Sequence, residues 1–364
     1  MANGPLLQVG DVTIPEPIFT PYVQELTTQK SGLVQSGALV EDPLITQRMA
    51  GGGRLITMPA WNDLDDDAED LATDDPADII ALSQSGGTPA LPASFNDAIP
   101  AKVTSKEETI HRLSRQKAWS EADIARELAG STSMTAVANR AAYYWTRRLQ
   151  ALFIAQWQGI SKDNAANDSG DYAHDAAGAS FSDGVTNFTA VNAIRASATM
   201  GDEINMLALL MVHPDVYTTM REKNLIEFVE DSDAKTRIEF YQNMRVIVDK
   251  AMPSGTSVVR GDGSAGVAGM YESWMFGPGT TGLGRGARSV PTAVERQELA
   301  GGGAGQTTLV NRVAWGMHPR GHSCELSAST SGPSNAAFNA AAAWNRAVPE
   351  REQVKFARLI TRES

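Results

Sequence analysis

Sixteen consecutive residues, Asp63 to Asp78, carry nine carboxylates and not one Lys or Arg. Like charges at that density repel one another, and an unpaired ionised carboxylate is too costly to bury. The segment therefore excludes itself from a core of its own and needs water or an outside cation. Before it, Arg54-Leu-Ile-Thr-Met-Pro-Ala-Trp61 follows three glycines and carries the β-branched and aromatic residues of a strand. A returning limb over Ile99–Trp119 places Val103, Ile110 and Leu113 among polar neighbours and brings Lys102, Lys106, Arg112, Arg115 and Lys117. Gly86-Gly87, Pro89 and Pro92 mark the tip between them. Residues 51–118 thus read as one two-stranded excursion whose limbs divide charge by sign. An isolated hairpin is marginal in water, so it must pack on something, and opposite charge along its edges selects partner and register.

The remainder is globular in composition, with 42% of 364 residues hydrophobic and 20% charged. That length holds two or three domains, or one body with large excursions. A formal charge of −12 speaks against a free nucleic-acid binder, although an inner surface that only tolerates packed polyanion can be acidic. The single cysteine, Cys324, excludes an intrachain disulfide and a cysteine-based zinc cluster, and reads as a buried, inert thiol. No stretch nears the ~18–20 apolar residues of a membrane helix. The start, MANGPLLQVGDVTIPEP, lacks the charged head and apolar centre of a signal peptide. A protein made in a cytosol, with no membrane partner, is expected.

Prolines at 5, 15, 17, 21 and 43 make residues 1–50 an extended arm, with a short helix around Tyr22–Lys30. Ser120-Glu-Ala-Asp123 resembles a capping box with Ile124 and Leu128 on one face, and Gly130-Ser-Thr-Ser133 interrupts it. A spine helix follows over Met134–Gln158, with Val137, Ala141, Trp145, Leu149, Leu152, Phe153 and Trp157 at spacings of three and four. Residues 161–188 read as a polar loop. Thr189 caps a helix through about Met200, and Pro214 opens another to Lys223. Asn205–Val212 and Met244–Ala251 are buried strands. Val290–Leu299 and Gln306–His318 pair around Gly301–Gly305; Asn335–Arg346 is an alanine-rich helix; Val354–Ile360 closes the chain as a strand. The mixture predicts an α+β chain with a compact α/β lobe.

No constellation for catalysis emerges. Asp63-x-Asp65-x-Asp67 begins like a calcium loop, but Ala68 stands where the sharp turn needs glycine and Asp74 where a bidentate glutamate belongs. Gly277-Pro-Gly279-Thr-Thr-Gly282 spells the dinucleotide fingerprint, yet GLGRGARSVP follows and cannot start the helix that would meet a pyrophosphate. A mobile glycine-rich loop is the expectation there. His318 and His322 are four apart, but Pro319 and Gly321 deny them a common helix face as metal ligands. No Gly-x-Ser-x-Gly elbow occurs. Asn167-Asp-Ser169 and Asn187-Phe-Thr189 are glycosylation sequons in letters only. The expected site residues are therefore none, whether catalytic, cofactor-binding or metal-binding, and no cofactor is expected.

Three stretches resemble the closing region of one subgroup of tailed double-stranded DNA phage major capsid proteins: Asn311-Arg-Val-Ala-Trp-Gly-Met-His-Pro-Arg-Gly321, Ser331-Gly-Pro-Ser-Asn335, and Ala343-Trp-Asn-Arg346 with the last strand. Met211-Val-His-Pro-Asp-Val-Tyr217 and Asn224-Leu-Ile226 resemble that subgroup's central lobe. The order of elements is similar along nearly the whole chain; the motifs match in its second half.

The resemblance implies the tailed-phage capsid fold: an N-terminal arm (1–50), an extended loop (51–118), a peripheral domain with the spine helix (119–205), an axial domain (206–285), peripheral long strands (286–330) and a C-terminal part of the axial domain (331–364). It implies a non-enzymatic virion protein that assembles in the host cytoplasm into hexamers and pentamers enclosing double-stranded DNA. Its partners would be copies of itself, a portal, and scaffolding or decoration proteins, with DNA held non-specifically. Scaffolding is expected to be separate or unnecessary, since the chain opens almost directly with the arm; Lys102 and Lys106 carry no sign of the isopeptide bonds some relatives form. The alternatives are an encapsulin-like nanocompartment shell and a cytosolic α/β enzyme using the 206–285 lobe.

Overall fold

The computed structural model describes residues 37–62, 103–123, 133–230, 237–300, 303 and 305–363. The acidic run, the tip at Gly86–Pro92, the expected helix at Tyr22–Lys30, and Ile124 and Leu128 lie outside them. Two compact units divide the chain: Pro59–Glu107 is one, and the chain up to Met58 with Glu108–Ser364 is the other. Within the smaller unit Asn62 stitches the two limbs. Its backbone N–H donates to the Thr104 carbonyl at 2.9 Å and its Nδ2 to Thr104 Oγ1 at 2.8 Å.

In chain order, β1 (Leu39–Glu41) leads into α1 (Pro43–Ala50), then β2 (Leu55–Trp61) and β3 (Ser105–Ala122). The long helix α2 (Ser133–Asn167) is followed by β4 (Ala173–Asp175), α3 (Ala190–Ser197), β5 (Leu209–Val212) and α4 (Pro214–Glu222). Strands β6 (Glu227–Glu230), β7 (Arg237–Tyr241), β8 (Met244–Val248), β9 (Met270–Phe276) and β10 (Thr281–Arg285) come next. The chain ends with β11 (Thr292–Gln297), β12 (Gln306–Pro319), β13 (His322–Cys324), α5 (Asn335–Phe338), β14 (Trp344–Arg346) and β15 (Phe356–Arg362). Local chemistry sets the helix starts. Thr189 accepts from Asn192 N, His213 from Asp215 N, and Pro214 supplies a first-turn residue with no N–H to satisfy.

In the larger unit seven strands form one sheet in the order β4-β15-β9-β5-β8-β7-β6. Alternate side chains separate into two cores, as strand geometry requires. Leu209, Met211, Trp274, Phe276 and Phe356 join a core with Leu149, Phe153 and Trp157 of α2. Leu210, Val212, Met275, Ala357 and Leu359 join another with residues of α3 and α4. With both faces covered, all seven residues of β15 are buried.

The six-stranded sheet runs β1-β10-β12-β3-β2, with β11 pairing β12. The expected β11–β12 hairpin is present, from Thr292↔Asn311 to Gln297↔Gln306. The expected mobile glycine loop is corrected: Thr281–Arg285 is a strand, buried from Thr281 to Gly284. Its glycines leave room for α1. A Cβ on Gly282 would lie 2.9 Å from Ile45 Cδ1, one on Gly284 would overlap Ile45 Cγ2, and one on Gly316 of β12 would lie 3.0 Å from that methyl. Residues 37–50 accordingly are not bare arm. Leu39 pairs with Thr281 in a parallel ladder, Ile45 and Met49 are fully buried, and Pro43 opens a helix behind the Asp42 cap instead of breaking one.

Three further expectations change. Residues 120–122, expected to cap a helix, end strand β3 instead, paired with residues 306–308 of β12. The spine helix continues to Asn167, roughly 52 Å in all, into the segment expected as loop. Its polar end has specific partners: Lys162 Nζ donates to the Asn339 carbonyl and Oδ1 at 2.9 Å, and Asn164 Nδ2 to Asp171 Oδ1 at 2.5 Å. The alanine-rich segment is not one helix. It makes a single turn at Asn335–Phe338, a 3₁₀ turn at Ala341–Ala343, and then β14 against β13. Tertiary contact overrides alanine propensity here. Trp344 is buried and donates to the Phe338 carbonyl at 2.7 Å, both held against Gly159 of α2, where any Cβ would overlap them.

Candidate functional site

Among the described residues no group of three or more His, Cys, Asp or Glu is arranged to hold a metal. His318 and His322 sit in the two strands flanking a turn and go separate ways. His318 Nε2 lies 2.7 Å from Glu108 Oε2, both buried, and that same oxygen accepts from Gly321 N at 3.2 Å. His322 meets the Tyr172 hydroxyl at 3.3 Å, and burial pushes its pKa down to about 4. Cys324 is buried, and burial pushes its thiol up to about 11, too high for a thiolate nucleophile at neutral pH. Asn187 of the second sequon is buried and donates to Asp183.

The polar groups inside the larger unit serve as ties. Arg358 in β15 is wholly buried; its Nη1 donates to the Val259 carbonyl at 2.6 Å and lies 3.4 Å from Glu272 Oε1. Glu272 in turn accepts from Val259 N at 2.9 Å and from Trp274 Nε1 at 2.8 Å. Arg346 pairs with Asp171 at 2.7 Å, and the Arg351 guanidinium lies 4.5 Å from the Tyr172 ring centroid. These arrangements hold segments together and offer no open position for a reacting molecule.

The half-buried basic groups of β3 are arranged differently. On β3, Arg112 Nη1 donates to the Met49 carbonyl at 3.2 Å, and Arg115 Nη2 donates to the Pro333 carbonyl. A small cavity of about 140 Å³ opens beside Arg115, lined also by Tyr144, Trp145 and Arg148 of α2 and by Trp315 of β12. Burial first, then the neighbouring Arg148 cation, lowers the Arg115 pKa. Sequence reasoning singled out Arg115 but not Arg148 as a basic partner. The available signal was α2 itself, which holds no Asp or Glu from Ser133 through Lys162.

The described residues thus build a seven-stranded sheet packed against a long spine helix and a second, six-stranded sheet. The capsid of Ralstonia phage GP4 superposes on this fold with a TM-score of 0.55 at 10% identity, over 92% of this chain and 89% of that one. No protein-family model matches the chain. The major capsid protein of Bacillus phage SPP1 is 33% identical over 321 residues, 86% of this chain and 85% of that protein. The chain belongs to the tailed-phage major capsid proteins. It is a structural, non-enzymatic, shell-forming component of a virion that assembles from copies of itself. The cytosolic-enzyme alternative is thereby set aside.

Proposed function

We propose that copies of this chain close head to tail into pentamers and hexamers of an icosahedral shell around double-stranded DNA. In this reading residues 206–285 and 331–364 surround each capsomer axis, 119–205 and 286–330 form the periphery, and 51–118 reaches an adjacent copy. The acidic run 63–78 meets basic groups of that copy. One observation supports this pairing above others: the run has no Lys or Arg of its own, while arginines on β3 donate to backbone carbonyls and keep their net charge. Each exposed ion pair contributes only ~0–1 kcal/mol, but repetition over the shell and like-charge rejection of wrong registers multiply the effect. A portal, scaffolding or decoration proteins and the packaged DNA complete the partners, and assembly takes place in the host cytoplasm.

Electron microscopy of the purified chain, alongside size-exclusion chromatography, tests the reading. Rings or closed shells are expected. A homogeneous monomer of 38.9 kDa under every condition would overturn it. Reversing Asp65, Asp66 and Asp67 to lysine is expected to lower shell yield; yields indifferent to both the reversal and salt would remove the acidic pairing.

A further inference from the structure

We infer that the cavity between β3, α2 and β12 is a socket for a carboxylate from the acidic run 63–78 of a second copy. This deepens the acidic-pairing reading above and rests on it. The socket brings together Arg115 and Arg148 across an aromatic floor. Trp145 is only 3% exposed, its Nε1 has no acceptor among the described residues, and its ring packs edge-on against Trp315 at 5.6 Å. Tyr144 closes the other side of Trp145 at 5.1 Å.

Each part favours an acidic side chain. Arg148 is exposed at the rim, and no described carboxylate pairs with it. Arg115 has one amino group committed to the Pro333 carbonyl, which satisfies an N–H without cancelling the charge. Burial and the neighbouring Arg148 cation both work against the charge on Arg115, and an anion beside it relieves that. The apolar lining of Leu152, Trp145 and Trp315 lowers the local dielectric, which strengthens a charge-assisted bond. A cavity of about 140 Å³ suits one carboxylate and its stem, not a nucleotide. The complementary charge is on this chain itself, as nine carboxylates within residues 63–78. The chain assembles from copies of itself, so the occupant is a neighbour's run.

A charge-swap experiment decides it. Three variants are compared: R148E, D65K/D66K/D67K, and both sets combined on one chain. Circular dichroism of the unassembled subunit controls for folding, and Arg148→Gln provides a milder variant of the exposed rim residue. The first two variants are expected to lower shell yield roughly tenfold, because each places like charges together. The combined chain is expected to recover most of that yield, and so is an equimolar mixture of the first two. In the mixture a reversed socket meets a reversed run only on a different copy.

Recovery by the combined chain but not by the mixture would mean that the run seats within its own chain, overturning the inference. Failure of both to recover would also overturn it. If the run reversal lowers yield while R148E and R148Q do not, the acidic-pairing reading stands and this socket is the wrong one. Normal shells of R148E with reduced DNA content would assign the socket to phosphate instead.

Discussion

Strands β15 and β3 are each an interior strand of one sheet, and they differ in how far their charges are withdrawn from water. Every residue of β15 is buried; of its two cations, Arg358 faces Glu272 inside the same subunit and Arg362 donates to the Ala179 carbonyl at 2.5 Å. In β3, Gln116, Lys117 and Ala118 lie exposed. The guanidiniums of Arg112 and Arg115 donate to backbone carbonyls, which accept a hydrogen bond but carry no net charge. In β15 both cations are sealed from solvent within the chain; in β3 partly exposed cations keep positive charge for something outside it. A self-assembling subunit needs both, since a body that completes every interaction alone has no reason to find a neighbour.

The largest effect is expected where the closed sheet is opened. Glu272→Ala leaves Arg358 charged and unpaired and removes the acceptor of two N–H groups. Removing one partner of a buried pair costs about 3–5 kcal/mol. Chemical denaturation of the unassembled subunit reads this directly, and E272Q/R358M should recover most of the loss. An unchanged midpoint for E272A would mean the pair is hydrated, and the contrast with β3 would fail.

Acidity should act on the interior next. His322 titrates near 4 when buried and near 6.5 when unfolded, because burial disfavours its cation. Between those values the unfolded chain holds a proton that the native chain does not. Its contribution is therefore complete above about pH 6.5 and is lost as pH falls toward 4, by ~3 kcal/mol in all. His111, also held low by burial, pulls the same way. Denaturation midpoints at pH 7 and pH 4.5 test this, and H322Q should flatten the slope. A profile unaffected by H322Q would place the pH response elsewhere.

A smaller, local loss is expected in the open sheet. Gly284→Val drives a side chain into Ile45 and should cost about 2 kcal/mol by overpacking. Hydrogen exchange should then speed in α1 and β1 while β15 remains protected. Equal exposure of β15 would show that the two sheets unfold as one and do not differ as argued.

What the sequence disclosed follows from which physics is local. The β11–β12 pair was legible because Val294, Leu309 and their neighbours alternate about a glycine tip. Helices α3 and α4 were legible because Thr189 and Pro214 act on their own first turns. Strand β10 was not, because its glycines answer to Ile45, which lies more than two hundred residues earlier. Asn335–Arg346 was misread for the same reason: Trp344 is placed by Gly159, and alanine propensity yields to that contact. In the same way, Lys162 and Asn164 read as loop until Asn339 and Asp171 stand beside them. Of the candidate surface, the sign of charge on β3 was visible as a string of Lys and Arg. The socket was not, since it needs Trp145 and Arg148 brought across from α2.

Trp61 offers the smallest effect on the subunit and the finest test of the contrast. It ends β2 in the smaller unit and is 74% exposed, so little of its surface has left water. Trp61→Ser should shift the unfolding free energy of the unassembled chain by no more than about 0.5 kcal/mol. Tryptophan is nevertheless the residue most often found carrying binding energy at protein interfaces. If the excursion is a contact between copies, the same substitution should raise the concentration needed for shell formation severalfold while leaving unfolding unchanged. A parallel fall in subunit stability would make Trp61 part of its own subunit's core. The open region would then be as self-contained as β15, and the division between the two would have to be given up.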